Sequence, residues 1–178
     1  IEEEKIVNED AIPSVEKVKK EAAMPSSREE AEKMLGHSAD SALQAIKYFA
    51  DNNDAKGLID AVAAARGDSN ILGALLKYAA EKNLPSVAEA VFNLPTKGKW
   101  DNQLAALHTF KELKYMPGFS KALDKVNAEK TRAAAIAYLA DLDYPLQDIY
   151  KSTKDLLIQT SIAHEMGSRG DVAFLKEA

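Results

Sequence analysis

The chain is 178 residues long, with 46% hydrophobic and 29% charged residues, a net charge of −5, one tryptophan and no cysteine. That length can bury one substantial core, and the lack of cysteine excludes disulfides, thiolate metal sites and cysteine nucleophiles. Thirty alanines and 18 leucines against 10 isoleucines and 8 valines favour helix over strand, and no run approaches the roughly 18 apolar residues of a membrane span. The expectation is an all-α, soluble protein of the cytoplasm, without a transmembrane segment.

Residues 1–37 read as an acidic helical linker. The first 35 residues hold ten Asp/Glu and six Lys/Arg, open on Glu2, Glu3 and Glu4, and are punctuated by Pro13 and Pro25. Within this stretch Ser27 is placed to cap a helix running to about Leu35, with Glu30 three residues on as in a capping box and Gly36 as the stop. The chain begins without methionine and ends at Ala178 inside a helical pattern, so a fragment of a larger protein is expected.

From residue 38 to 178 the pattern is densely helical. Ala42, Leu43, Ala45, Ile46, Phe49 and Ala50 recur at helical spacing, and Leu58, Ile59, Val62 and Ala63 follow a polar break at Asp51 to Asp54. Gly67 stops that helix pair and Asp68 caps the next. A shift of 29 residues carries Leu43, Ile46, Phe49 and Ala50 onto Leu72, Leu75, Tyr78 and Ala79; further shifts of 32 and 28 reach Phe110 and Tyr138. Proline stands seven residues after the aromatic in three copies, at Pro85, Pro117 and Pro145, where it suits the first turn of a second helix. A divergent last unit opens at Ser152 or Thr153 and is broken by Gly167 and Gly170. Such a period predicts a stack of about four to five helical hairpins, with an irregular helical bundle as the alternative.

The hairpins resemble degenerate ankyrin or related α-solenoid repeats. Leu107 and His108, in the run Ala106-Leu107-His108-Thr109, match the Leu-His of the ankyrin first helix, and Ala163, Gly167, Asp171, Val172, Phe174 and Leu175 match its Ala, Gly and closing apolar positions. No copy carries the full Thr-Pro-Leu-His, and unit length varies. The resemblance implies a module that binds other macromolecules.

Residues able to carry chemistry are sparse. His37, His108 and His164 include no i, i+4 pair, and Ser168 stands where a His-Glu-x-x-His motif beginning at His164 needs its second histidine. No metal or other cofactor is expected. Asp141 with Asp143, and Asp51 with Asp54, fall where capping and turn residues belong. Arg169-Gly170-Asp171 is a three-residue match to an integrin-binding tripeptide, for which a turn is sufficient explanation.

Charge is unevenly spread: residues 97 to 132 carry eight Lys/Arg against four Asp/Glu. The leading expectation is a non-enzymatic scaffold module that binds a protein partner through a preformed helical surface. Trp100, Phe110, Tyr115, Lys111, Lys114 and Lys121 are its candidate contacts. Two alternatives stand beside it. One is an enzyme or ligand-binding domain, marked by a pocket holding His108 or His164 beside an acid; the other is a regulatory domain that binds anionic lipid, or less readily nucleic acid, through residues 97 to 132.

Overall fold

Every regular element among residues 22–95 and 100–177, the part of the chain that the computed structural model describes, is an α-helix. The first, α1 (Arg28–Met34), is capped as its sequence predicts: the Ser27 hydroxyl accepts from the Glu30 N–H at 3.2 Å. The Glu30 carboxylate reaches back one residue beyond the usual box, accepting from the Ser26 N–H at 2.7 Å and the Ser26 hydroxyl at 2.6 Å. Ala31 is fully buried where α1 lies against α2, so this helix belongs to the packed body.

Five helix pairs follow: α2 (Ala39–Asp51) with α3 (Ala55–Ala64), α4 (Ser69–Glu81) with α5 (Pro85–Phe92), α6 (Asn102–Leu113) with α7 (Met116–Ala122), α8 (Glu129–Asp141) with α9 (Leu146–Ser152), and α10 (Leu156–Ser168) with α11 (Val172–Glu177). One device turns the chain in all five. A single left-handed residue ends the first helix, at Asn53, Asn83, Lys114, Asp143 and Gly170, and these stand about 30 residues apart. The next N–H then bonds back across the helix end, Asp54 to the Phe49 carbonyl at 2.8 Å, Leu84 to Ala79 at 2.8 Å, Tyr115 to Phe110 at 2.9 Å, Tyr144 to Leu139 at 3.0 Å and Asp171 to Met166 at 3.0 Å. This Schellman-type closure satisfies carbonyls that the helix end would otherwise leave bare.

The turns set the register of the core. Counting back from each left-handed residue, Ala45, Ile46 and Phe49 correspond to Leu75, Leu76 and Ala79, to Ala106, Leu107 and Phe110, and to Ala135, Ile136 and Leu139, all buried. The shifts of 29, 32 and 28 residues pair Phe49 and Phe110 with Tyr78 and Tyr138. Those tyrosines are half-buried and lie one residue earlier, and Ala79 and Leu139 hold the inner position instead.

Size complementarity accounts for the inner residue in the first three pairs. A Cβ on Gly57 would sit 2.4 Å from Phe49 Cδ1, and one on Gly118 would sit 2.5 Å from Phe110 Cδ2, so each ring lies directly on a bare helix backbone. In the second pair the small and large partners exchange sides: Ala79 in the first helix accompanies the fully buried Val87 in the second. Close-packed interiors require such matching of volumes.

The first helices touch in chain order, α2 on α4, α4 on α6, α6 on α8 and α8 on α10, while α3 packs on α5 and α5 also on α6. The prolines enter the second helices in three ways: Pro85 begins α5, Pro117 is the second residue of α7, and Pro145 is the N-cap of α9. The last pair opens later than Thr153. Asp155 caps α10 by accepting from the Leu157 N–H at 3.0 Å, and Gly167 lies inside the helix rather than ending it.

Candidate functional site

Two open clefts meet at Trp100, the only tryptophan in the chain. One is the groove between α4 and α6, about 500 Å³, lined on the α4 side by Gly73, Leu76, Lys77, Ala80 and Glu81, and on the α6 side by Ala105, His108, Thr109 and Glu112. The groove forms because the first helices lean together along buried Leu75, Leu76, Ala106 and Leu107, while longer polar residues on the same helices stand outward. His108 Nδ1 lies 3.0 Å from Glu112 Oε1, and Lys77 Nζ lies 3.9 Å from Glu81 Oε1. A smaller groove of about 260 Å³ between α8 and α10 repeats the theme with Ala133, Thr160, Ser161, His164 and Glu165.

The α6–α8–α10 side of this face is tied by charge. The Lys111 ammonium bonds Asp141 at 2.9 Å and stands 5.1 Å from the centre of the Tyr138 ring, which also meets the His108 ring edge-on at 6.3 Å. Asp141 also accepts from Arg169 at 2.5 Å, and Arg169 turns to Glu165 at 3.4 Å. Bonds from Lys111 and then Arg169 hold the Asp141 carboxyl below the usual carboxylate range.

At the opposite ends of these helices the polar groups are inward. Arg132 of α8 pairs with Asp155, the cap of α10, and only 12% and 10% of those side chains are exposed. Thr131, fully buried, donates to Gln103 at 2.9 Å, and the half-buried α6 cap Asp101 accepts at 2.5 Å from Lys130, which itself reaches in from the surface. Asn102 is buried and gives both amide protons away, to the Val91 carbonyl at 2.9 Å and the Leu94 carbonyl at 2.8 Å, sealing the end of α5.

The sequence-derived contact residues separate on this frame. Trp100 is half-buried and walls both clefts. Phe110 is fully buried among Phe92, Tyr115 and Phe119, so it belongs to the core and is out of a partner's reach; the bare Gly118 backbone beneath it is the reason. Tyr115 is half-buried and donates its hydroxyl to Glu89 at 2.6 Å. Lys114 and Lys121 are exposed, at the turn and on α7, away from the groove residues. Of the basic segment, Lys111, Lys130 and Arg132 are matched by Asp141, Asp101 and Asp155, while Lys97 and Lys99 lie outside the described residues.

Arg169-Gly170-Asp171 is a helix junction. Gly170 takes the left-handed turn and Asp171 accepts from the Phe174 N–H at 3.0 Å. The same tripeptide stands at Arg66-Gly67-Asp68, again with a left-handed glycine and an aspartate cap, Asp68, which bonds the Asn70 and Ile71 N–H groups. Among the described helices none is long and apolar enough to cross a membrane. No family model matches the chain, and neither a curated protein nor a solved structure matches it.

Proposed function

We propose that the chain is a helical-hairpin repeat module that binds a protein partner along the face made by α2, α4, α6, α8 and α10. The observation that carries this reading is the α4–α6 groove with Trp100 at its rim, the Lys77–Glu81 ion pair on one wall and the His108–Glu112 pair on the other. Tryptophan beside a groove is the composition of an interaction hot spot, and the paired charges give orientation rather than bulk affinity. The sealed core behind the face lets it be presented ready-made, without the ordering cost that a flexible surface would add.

Site-directed photo-crosslinking in an extract of the source cells tests the reading. A photoreactive side chain at His108 is expected to give one discrete protein adduct that excess unlabelled protein competes away, whereas the same group at Lys56 on α3 gives none. Equal or absent labelling at the two positions overturns it.

A second reading rests on His108 and Glu112 themselves, since an imidazole held by a carboxylate is a general-base unit. Their side chains are 61% and 49% exposed, so water screens the pair. Hydrolysis of a broad ester and phosphoester panel that disappears in His108→Ala would favour this second reading over the first.

A further inference from the structure

The second cleft at Trp100 has a different character. It is about 480 Å³, within the range of small-molecule sites, and its walls are Val62 and Ala63 of α3, Leu72 of α4, and Leu94, Pro95 and Trp100. Only Arg66, Gly67 and Asn102 interrupt the apolar lining. Asn102 has no amide proton to offer, because both are bonded to the Val91 and Leu94 carbonyls. Among the described residues, the charged group available to an occupant is the Arg66 guanidinium.

Arg66 differs from the other arginines of the chain. Arg28 is paired with Glu32 and Asp54, Arg132 with Asp155, and Arg169 with Asp141 and Glu165. Arg66 is exposed at the cleft edge and has no carboxylate partner among the described residues. It also occupies a left-handed position, φ 49°, as do Asn53, Asn83, Lys114 and Asp143, a conformation that is costly for a long side chain. A lone guanidinium fork over an apolar cavity complements one planar anion attached to an apolar body.

We infer that this cleft binds a small apolar monocarboxylate, its hydrocarbon against Leu72, Leu94 and Trp100 and its carboxylate on Arg66. The site lies on the other side of Trp100 from the groove assigned to a protein partner, so either assignment can fail alone.

Octanoate, octanol and octylammonium are the probes, followed by the fluorescence of Trp100 and by titration calorimetry on the full chain. The expected result is saturable binding of octanoate with a change in tryptophan emission, weaker binding of octanol and none of octylammonium. Arg66→Asn, which suits the left-handed backbone, should weaken octanoate roughly tenfold or more while leaving octanol within about twofold. Arg66→Lys should keep a preference for the carboxylate. Ala63→Phe, which fills the cleft from an exposed helix position, should weaken both ligands. Absence of saturable octanoate binding by either measurement, or equal affinity for octanoate and octanol in the unmodified chain, overturns the inference. So does octanoate binding that Arg66→Asn leaves intact.

Discussion

Replacing Gly57 with alanine adds a methyl group where the Phe49 ring already lies. The new Cβ would be 2.4, 2.6 and 2.8 Å from three ring carbons, against an ordinary contact of 3.4 Å or more, so ring and helix must part by nearly 1 Å. Phe49 is fully buried, so the ring can give way only by displacing its neighbours or the helix. Overpacking of this kind costs about 1–3 kcal/mol, and the better helix propensity of alanine returns about 1 kcal/mol, leaving a net loss of about 1 kcal/mol. Phe49→Ala alone should cost about 3–5 kcal/mol through the cavity it opens. In that background Gly57→Ala meets no ring and should stabilise, so the two substitutions couple by about 2 kcal/mol. Phe49→Ala with Gly57→Val, which copies the Ala79 and Val87 arrangement, should recover part of the loss. Urea unfolding followed by circular dichroism, with the four members of the cycle measured together, gives the coupling directly. If Gly57→Ala stabilises the unmodified protein as much as it does the Phe49→Ala variant, the ring does not rest on that backbone and the argument fails.

Three further outcomes are expected. Asn102→Ala strands the Leu94 carbonyl, while the Val91 carbonyl keeps the Leu94 N–H at 3.2 Å, and should cost about 1–3 kcal/mol in thermal or urea unfolding; a neutral result would show that water reaches the end of α5. Asp141 has a folded-state pKa below its unfolded value of about 3.9, so its contribution is complete above that value and fades as the pH falls through the lower folded one. Partly exposed as it is, Asp141→Asn should cost no more than about 1 kcal/mol at neutral pH, with the difference from the parent protein shrinking below pH 4 in an acid titration. Arg132→Ala should destabilise more than the double change Arg132→Ala with Asp155→Ala, because the single change leaves a mostly enclosed carboxylate without its cation.

Short-range signals were legible in the sequence because they act within one turn of helix. Ser27, Asp54 and Asp68 cap where residue type and spacing place them, and Gly67 is left-handed as a helix stop requires. The slip of one residue at Tyr78 has a physical cause. Matching aromatic to aromatic compares each first helix alone, whereas the inner position is chosen jointly with the second helix, where Gly57, Val87 and Gly118 decide how large the facing residue can be. The same joint choice buried Phe110, which composition alone offers as an exposed anchor. Asp155 was passed over for Thr153 because two capping residues stand two apart, and the Thr153 hydroxyl is in fact used, accepting from the Asp155 N–H at 3.1 Å. The partners of Lys111, Arg132 and Tyr115 lie more than 20 residues away and leave no local trace. Arg66 could have been noticed as an arginine preceding a helix-stop glycine, but that no carboxylate among the described residues pairs with it is visible only in the fold.

The first helices α2, α4, α6, α8 and α10 are 13, 13, 12, 13 and 13 residues long, whereas the second helices α3, α5, α7 and α9 run 10, 8, 7 and 7. Inserting one residue into a first helix rotates everything beyond it by about 100°, carrying the buried face toward water. An insertion after a second helix rotates nothing that is packed. Length change is therefore better tolerated beside the exposed Val126, between α7 and α8, than in the turns at 52–54 and 82–84.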